Sequence, residues 1–419
     1  MRRLGGLIAA CIALAWSEAG PHAQRADRVA ALAADPTVRA ALARAKAIEP
    51  QTTADQIRFC EVPAPPFGEA ARGEVLRRAL IAAGLRNVRV DGAGNVLGDR
   101  PGAAVRPKVV LSAHLDTVFP AGTAVAVTRS GAMLSGPGIG DNCRGLAVLV
   151  ATARAMADAH VLTQGSVTFV ANVGEEGLGD LRGVKALFGE TLKGQVDRFV
   201  TLDNAGIQIS ATGVGSMRYR VTFRGPGGHS FADFGRSSPA NALGRAVARL
   251  ADLRVPATPR TTFNVGRIGG GTSVNAIPED AWMEVDLRSS EQAALKDLDA
   301  RFLAIVDAAV ADENARWGRG AGVRAEKRMV GNRPAGSTPA AAPIVQTAEA
   351  VARVLGLAVA RGEASSDANL PMSLGIPAIA IGAGGQSFGS HTEQERFDTT
   401  NAWQGTQNAV LLTVALAQD

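Results

Sequence analysis

A run of short apolar segments, each strand-like and separated from the next by a loop or helical pattern, constrains this chain most. Residues 88–90, 109–113, 166–173 and 198–202 read as strands, and 146–159 has helical periodicity. Residues 27–59 suit alanine-rich helices, and 73–83 suit another, closed by Gly84. Strand and helix in alternation argue an α/β layer around a central, mostly parallel sheet flanked by helices.

From Gly213 the pattern changes. A strand at 216–223, a helix at 238–253, strands at 262–268 and 281–288, a helix at 291–311 and a strand at 323–329 make a compact α+β unit of the split-βαβ, ferredoxin-like type. Gly331-Asn-Arg-Pro-Ala-Gly336 marks the return, and a helix at 340–355 and a strand at 378–381 complete the first sheet. The expected organisation is a first domain in two parts, 26–212 and 331–419, with residues 213–330 inserted between them.

The N-terminus is of another kind. Met1-Arg-Arg is basic, an apolar run follows from Leu4 to Trp16, and small residues stand at Ser17 and Ala19 or, later, Ala23. This is the make-up of a secretory signal peptide, residues 1–19, cut as late as 23. The run falls short of the roughly 20 residues of a membrane span. Ile8-Ala-Ala-Cys11 also resembles a lipoprotein cleavage site, but the apolar run continues past Cys11, so simple export to the periplasm or medium is the expectation. Without the leader only Cys60 and Cys143 remain, too few for a disulfide framework; they are expected as free, mostly buried thiols, with one bridge in an oxidising compartment as the alternative. A formal charge of +5, from 44 basic and 39 acidic residues spread along the chain, and only 4% aromatics argue against a nucleic-acid partner.

Five segments carry chemistry, each at or just after an expected strand: His114-Leu-Asp116, Gly136-Pro-Gly-Ile-Gly-Asp141-Asn142, Gly174-Glu175-Glu176-Gly177, Leu202-Asp203-Asn-Ala-Gly206 and Gly389-Ser-His391. Singly, each has a structural explanation: a core histidine, a helix cap, a solvated acidic turn. Together they place two histidines and five carboxylates at strand ends, where open α/β sheets build their sites. Zinc takes imidazole nitrogen and carboxylate oxygen, and two ions need one shared carboxylate with two further ligands each. His114, Asp141, Glu176, Asp203 and His391 supply that number, with Asp141 as bridge. Asp116, two residues from His114 on the same strand face, is expected to accept the histidine's other ring N–H. Glu175, beside a ligand but off the metal, is placed as a general base.

These segments, "SAHLDTV", "GPGIGDN", "GEEG", "LDNAG", "GPGGHSF" and "GSHTEQERF", resemble the zinc metallopeptidases that include tripeptide aminopeptidase (peptidase T), glutamate carboxypeptidase, acetylornithine deacetylase and aminoacylase. The resemblance runs from about residue 40 to the C-terminus in the family's order. It implies the metal pairs His114/Asp203 and Glu176/His391 around Asp141, Glu175 as base and acid, and a cis peptide after Asp141. It implies that the inserted unit is a lid and homodimerisation domain whose His229 helps stabilise the oxyanion, often across the dimer. Asn275 and Arg288 resemble the family's substrate-contacting lid positions, with Arg333 a weaker candidate.

The chain departs from many relatives at Asn142 and Cys143, where a second acid and a lysine are common; Cys143 as a zinc ligand is the one alternative this opens. Gly385-Gln-Ser387-Phe-Gly389 fits a nucleophile elbow but lacks the helix that should follow. The expected activity is dizinc hydrolysis (cobalt or manganese as alternatives) of short peptides by an aminopeptidase or tripeptidase. A carboxypeptidase or N-acyl-amino-acid deacylase is the alternative, and a catalytically silent peptide-binding relative is the other class.

Overall fold

The structure, a computed structural model, describes residues 21–317 and 320–418, so the expected leader at 1–19 lies outside the described residues. The main sheet runs in the order Arg86–Val90, Val96–Arg100, Ser166–Asn172, Lys108–His114, Arg198–Leu202, Ala378–Ile381, Gln208–Gly213 and Gly336–Ser337, with Ala360–Ala364 also paired to Gln208–Gly213. Its four central strands, Ser166–Asn172 to Ala378–Ile381, are parallel. In Lys108–His114 every residue after Lys108 is buried, as a strand covered on both faces requires.

One face packs against Cys143–Asp158, Pro343–Val354 and Trp403–Gln418, and the helices Pro21–Ala34, Pro36–Ala47 and Glu49–Cys60 pack on those three. The break between Pro21–Ala34 and Pro36–Ala47 is local chemistry: Asp35 accepts from the backbone N–H groups of Thr37 and Val38, and Pro36 fits the first turn. Val184, Leu187, Phe188, Phe199 and Met372 cluster in a second core.

The strands of residues 215–333 form a separate antiparallel sheet in the order Thr261–Gly270, Asp280–Ser289, Gly215–Arg224, Arg324–Arg333, with helices Pro239–Ala251 and Gln292–Arg316 packed on it. Burial alternates strictly along Asp280–Ser289, so Met283, Val285 and Leu287 face the helices while Glu284, Asp286 and Arg288 face away. The strand expected to stop at 329 continues through Arg333, with a register shift between Met329 and Gly331. A third sheet of three-residue strands, Gln386–Phe388, Arg396–Asp398, Met133–Ser135 and Thr128–Ser130, adjoins the glycine-rich loop before Asp141; such short strands carry no readable period.

The expectation of free thiols is overturned: Cys60 and Cys143 form a disulfide. Cys60 ends one helix and Cys143 begins another, and the packing of those helices brings their Cα atoms to 5.4 Å, within bridging range. That contact spans 83 residues and leaves no local trace in the sequence. It also takes Cys143 out of consideration as a metal ligand.

Candidate metal centre

Adjacent parallel strands deliver the donors. His114 is the last residue of Lys108–His114, Asp203 follows Arg198–Leu202, and Glu175 and Glu176 follow Ser166–Asn172, so their carboxyl ends converge. Asp141 arrives on the loop before Cys143–Asp158, its peptide bond to Asn142 being cis. Asn142 caps that helix by accepting from Gly145 N–H and donates to the Leu202 carbonyl, tying the loop to the residue before Asp203. His391 comes from the third sheet's connecting loop, with its side chain about half exposed.

The geometry is that of two donor sets sharing one carboxylate. Ligand atoms of His114, Asp141 and Asp203 lie within 4.8 Å of one another, and so do those of Asp141, Glu176 and His391. Asp141 spans them: Oδ1 is 3.1 Å from His114 Nε2 and Oδ2 is 3.2 Å from His391 Nε2. Glu176 Oε1 is 3.3 Å from the same His391 nitrogen. His114, Glu175 and Glu176 form a third group within that distance. Glu175 Oε1, however, is engaged at 2.8 Å by Arg333 Nη1, and this group does not include the shared Asp141.

Asp116 acts differently from expectation. His114 Nδ1 lies 3.0 Å from the Asp116 backbone carbonyl, against 3.6 Å from its carboxylate. The carboxylate instead accepts the backbone N–H groups of Glu175, at 3.0 Å, and Glu176, at 2.8 Å. The carbonyl therefore sets the histidine's tautomer, while the side chain fixes the turn carrying the two glutamates.

Several residues at this site carry little sequence signal: Glu395 and Asp367 carry none of their own, and Arg333 is only the weaker candidate that the resemblance offered. Glu395, wholly buried, accepts N–H from Gly138, Gly140 and Asp141 at 2.8–3.0 Å and so clamps the bridging loop. A Cβ on Gly140 would fall 2.3 Å from Ser387 Oγ, which explains the glycine. Arg333, almost fully buried, donates to both the carboxylate and the carbonyl of Glu175. Asp367, also buried, accepts from Asn172 Nδ2 at 2.7 Å behind the site. Glu395 and Asp367 lie inside segments that read as motif or strand-adjacent loop, but type and spacing do not separate them from ordinary surface acids.

The electrostatics fit cations. Burial, reinforced by neighbouring Asp141, pushes Asp203 up to about 7. Burial likewise holds Glu175 well above the usual carboxylate range despite Arg333. Burial would raise Asp141 too, but hydrogen bonds from His114 and His391 outweigh it and hold it low. His391 is pushed up to about 10 by Asp141 and Glu176. So crowded a set of buried carboxylates and imidazoles holds extra protons that divalent cations would displace, and the donors are those zinc accepts. The residues present therefore fit a dinuclear site.

A cavity of about 400 Å³ opens onto these donors, lined by Asp141, Glu175, Glu176, Asp203 and His391 on one wall and by Arg218, Arg288 and Arg333 on the other. Arg288 is thus where expected; Arg218 has no counterpart in the sequence reading. His229 and Asn275 are not brought to this cavity. They sit together on the ribbon that pairs Gly228–His229 with Ala276–Ile277, both exposed. His229 Nδ1 accepts from Phe231 and Ala232 N–H, leaving Nε2 to carry the proton.

The sequence pattern of peptidase family M20/M25/M40 matches residues 110–415. A succinyl-diaminopimelate desuccinylase from Corynebacterium glutamicum is 25% identical over 362 residues, 81% of this chain and 89% of that protein. Among solved structures, a tripeptidase from Staphylococcus aureus superposes with a TM-score of 0.72 at 21% identity, covering 88% of this chain and 98% of its own. The YXEP protein of Bacillus subtilis, described as a dinuclear metal binding peptidase of the M20 family, superposes with a TM-score of 0.65 at 18% identity, covering 89% and 99%.

Proposed function

The chain belongs to peptidase family M20/M25/M40, a family of metal-dependent hydrolases, and we propose that it is a dizinc exopeptidase acting on short peptides in the manner of an aminopeptidase or tripeptidase. The observation that carries this reading is the pair of donor sets sharing Asp141, with Glu175 beside them. Cobalt or manganese would satisfy the same nitrogen and oxygen donors.

Bound in pairs, such ions would polarise the substrate carbonyl and acidify a water. The chain's own contribution is then proton management and orientation. His114 and Asp203 would hold one ion, Glu176 and His391 the other, and Asp141 would be shared between them. Glu175 takes the attacking water's proton on a carboxylate oxygen and passes it to the leaving nitrogen; its raised pKa suits both steps. Arg333 orients that carboxylate, and Asp116 holds the backbone beneath it.

The sheet of residues 215–333 is proposed as lid and dimerisation unit. A protonated Nε2 on His229, with Asn275 beside it, would complete the site of a second copy and stabilise the oxyanion there. Export to the periplasm or medium is also proposed: the leader supports it, and the Cys60–Cys143 disulfide suits an oxidising compartment.

A deacylase or carboxypeptidase is the second reading. The three arginines lining the cavity and the desuccinylase relative favour it. A catalytically silent relative would be expected to lack a ligand or the base, and every one of them is in place. The deciding experiment combines metal analysis of the purified chain with a panel of dipeptides, tripeptides and N-acyl amino acids in added zinc, cobalt or manganese. Two equivalents of metal with cleavage of unblocked peptides supports the exopeptidase; cleavage of acylated amino acids alone moves the assignment to the deacylase; absence of bound metal ends the reading.

A further inference from the structure

Four of the five ligands are linked to one another through Asp141 and His391. Asp203 stands apart. Its carboxylate is buried, and among the described residues it accepts one hydrogen bond, from Nδ2 of the next residue, Asn204, at 3.0 Å. A carboxylate only accepts, so the Asn204 amide must turn its nitrogen, not its oxygen, toward Asp203. The Asn204 side chain lines the metal-centre cavity beside the donor set of His114, Asp141 and Asp203.

The backbone explains why this residue is asparagine. Asn204 has φ 66°, in the left-handed region that asparagine enters more readily than most residues with a Cβ. The turn is pinned on both sides: Asp203 N–H donates to the Ile381 carbonyl at 3.0 Å, and Ala383 N–H donates to the Asn204 carbonyl at 2.9 Å. Glycine would meet the backbone demand but carries no donor. Aspartate would set a second acceptor against the first. Asparagine answers both demands at once.

We propose that Asn204 is a positioning residue for the metal centre: it holds Oδ1 of Asp203 and leaves Oδ2 as the oxygen available to the ion that His114 and Asp141 share. A buried carboxylate with no donor would turn freely about its own bonds and leave an oxygen unsatisfied once the other took a cation. The amide removes both costs in the folded chain, before any ion arrives. It reaches only one of the two donor sets, so the two metal positions are unequal in what supports them. This inference rests on the dinuclear reading and goes beyond it by separating the two positions.

The test is a metal titration of the full chain, with zinc under chelator competition and with cobalt, whose visible absorption reports its ligand geometry. Asn204→Gly keeps the left-handed backbone and removes only the donor, and thermal unfolding of the chelated protein checks that it folds as the wild type does. One of the two equivalents should weaken by about 10–100-fold and the other much less, with an altered absorption band for the weakened one alone. His391→Ala takes a donor from the other position only. In that background Asn204→Gly should weaken the better-retained equivalent by the same factor. Unchanged affinity for both equivalents overturns the proposal. So does an equal loss of both, which would reduce Asn204 to a support for the turn, and so does a loss that disappears in the His391→Ala background. A wild-type chain that takes up no second equivalent fails the dinuclear reading itself, and the proposal falls with it; two wild-type equivalents untouched by Asn204→Gly fail the proposal alone.

Discussion

The metal-facing wall of the cavity hangs from the carboxyl ends of parallel strands buried on both faces, whereas the arginine wall is the uncovered face of an antiparallel sheet. On the first, His114, Asp116, Asp141, Glu176 and Asp203 are buried, and His114, Asp116 and Asp141 are further held by backbone groups or partner side chains. On the second, Arg218 and Arg288 are partly exposed and share one aspartate, Arg218 also donating to the Gly177 carbonyl. The lesson is a division of labour by rigidity. Chemistry that needs donors placed to fractions of an ångström sits where packing over-determines them, and recognition that tolerates adjustment sits where one face is wet.

The comparison is tested most severely at Glu175. Glu175→Gln keeps the shape and removes the base, so turnover of every substrate should fall by about 10²–10⁴-fold with metal content intact. Equal loss of metal in that variant would mean that Glu175 is a ligand, as the third donor group allows. Next comes Glu395→Ala, which frees the bridging loop without touching a donor. Metal affinity, read by competition with a chelator, should weaken by about 10–100-fold while the KM of the metal-saturated variant is kept. If affinity stays and KM moves, the two walls are not separable.

Replacing both cysteines by serine should cost about 2–5 kcal/mol in denaturant unfolding and loosen metal retention less than Glu395→Ala does. The smallest effect is one of pH on the chelated protein. Burial pushes Asp203 and Glu395 up to about 7 and Asp367 up to about 6. Each therefore binds more proton folded than unfolded between about pH 4 and 7, and its stabilising contribution is lost as pH rises through its folded value. His391, raised to about 10 mainly by Asp141, extends the decline upward. The lowered Asp116 and Asp141 act in the opposite sense only at lower pH. Thermal unfolding of chelated protein should thus drop by a few degrees from pH 5.5 to pH 8.5, with a flatter profile once metal is restored. Arg218→Met should leave that slope alone; a changed slope would tie the walls together electrostatically.

The metal wall was largely legible in the sequence, because strand ends and donor types coincide there: His114, Glu176, Asp203 and His391 are all residues whose chemistry announces itself. The second half's alternation likewise gave the strand–helix order of the inserted sheet. What stayed hidden depends on contacts made only in three dimensions. Glu395 looks like any acid in a polar loop until three backbone donors close on it, and Arg218 is one of several arginines on a half-exposed strand. Cys60 and Cys143 become partners through helix packing alone. Asp116 was read for its side chain when its carbonyl does the orienting, since side-chain periodicity says nothing of where a backbone oxygen points.

Arg333 is the last residue of the strand Arg324–Arg333, and from there the chain crosses back to Gly336–Ser337 in the main sheet. The other crossing is a single residue, Val214, between Gln208–Gly213 and Gly215–Arg224. A guanidinium at one of these two crossings grips the carboxylate of Glu175, the proposed base. If the smaller sheet swings as the proposed lid, that contact would act as a latch on the proposed base: a rotation wide enough to admit a bulky substrate would slacken the grip, and reseating the sheet would tighten it again.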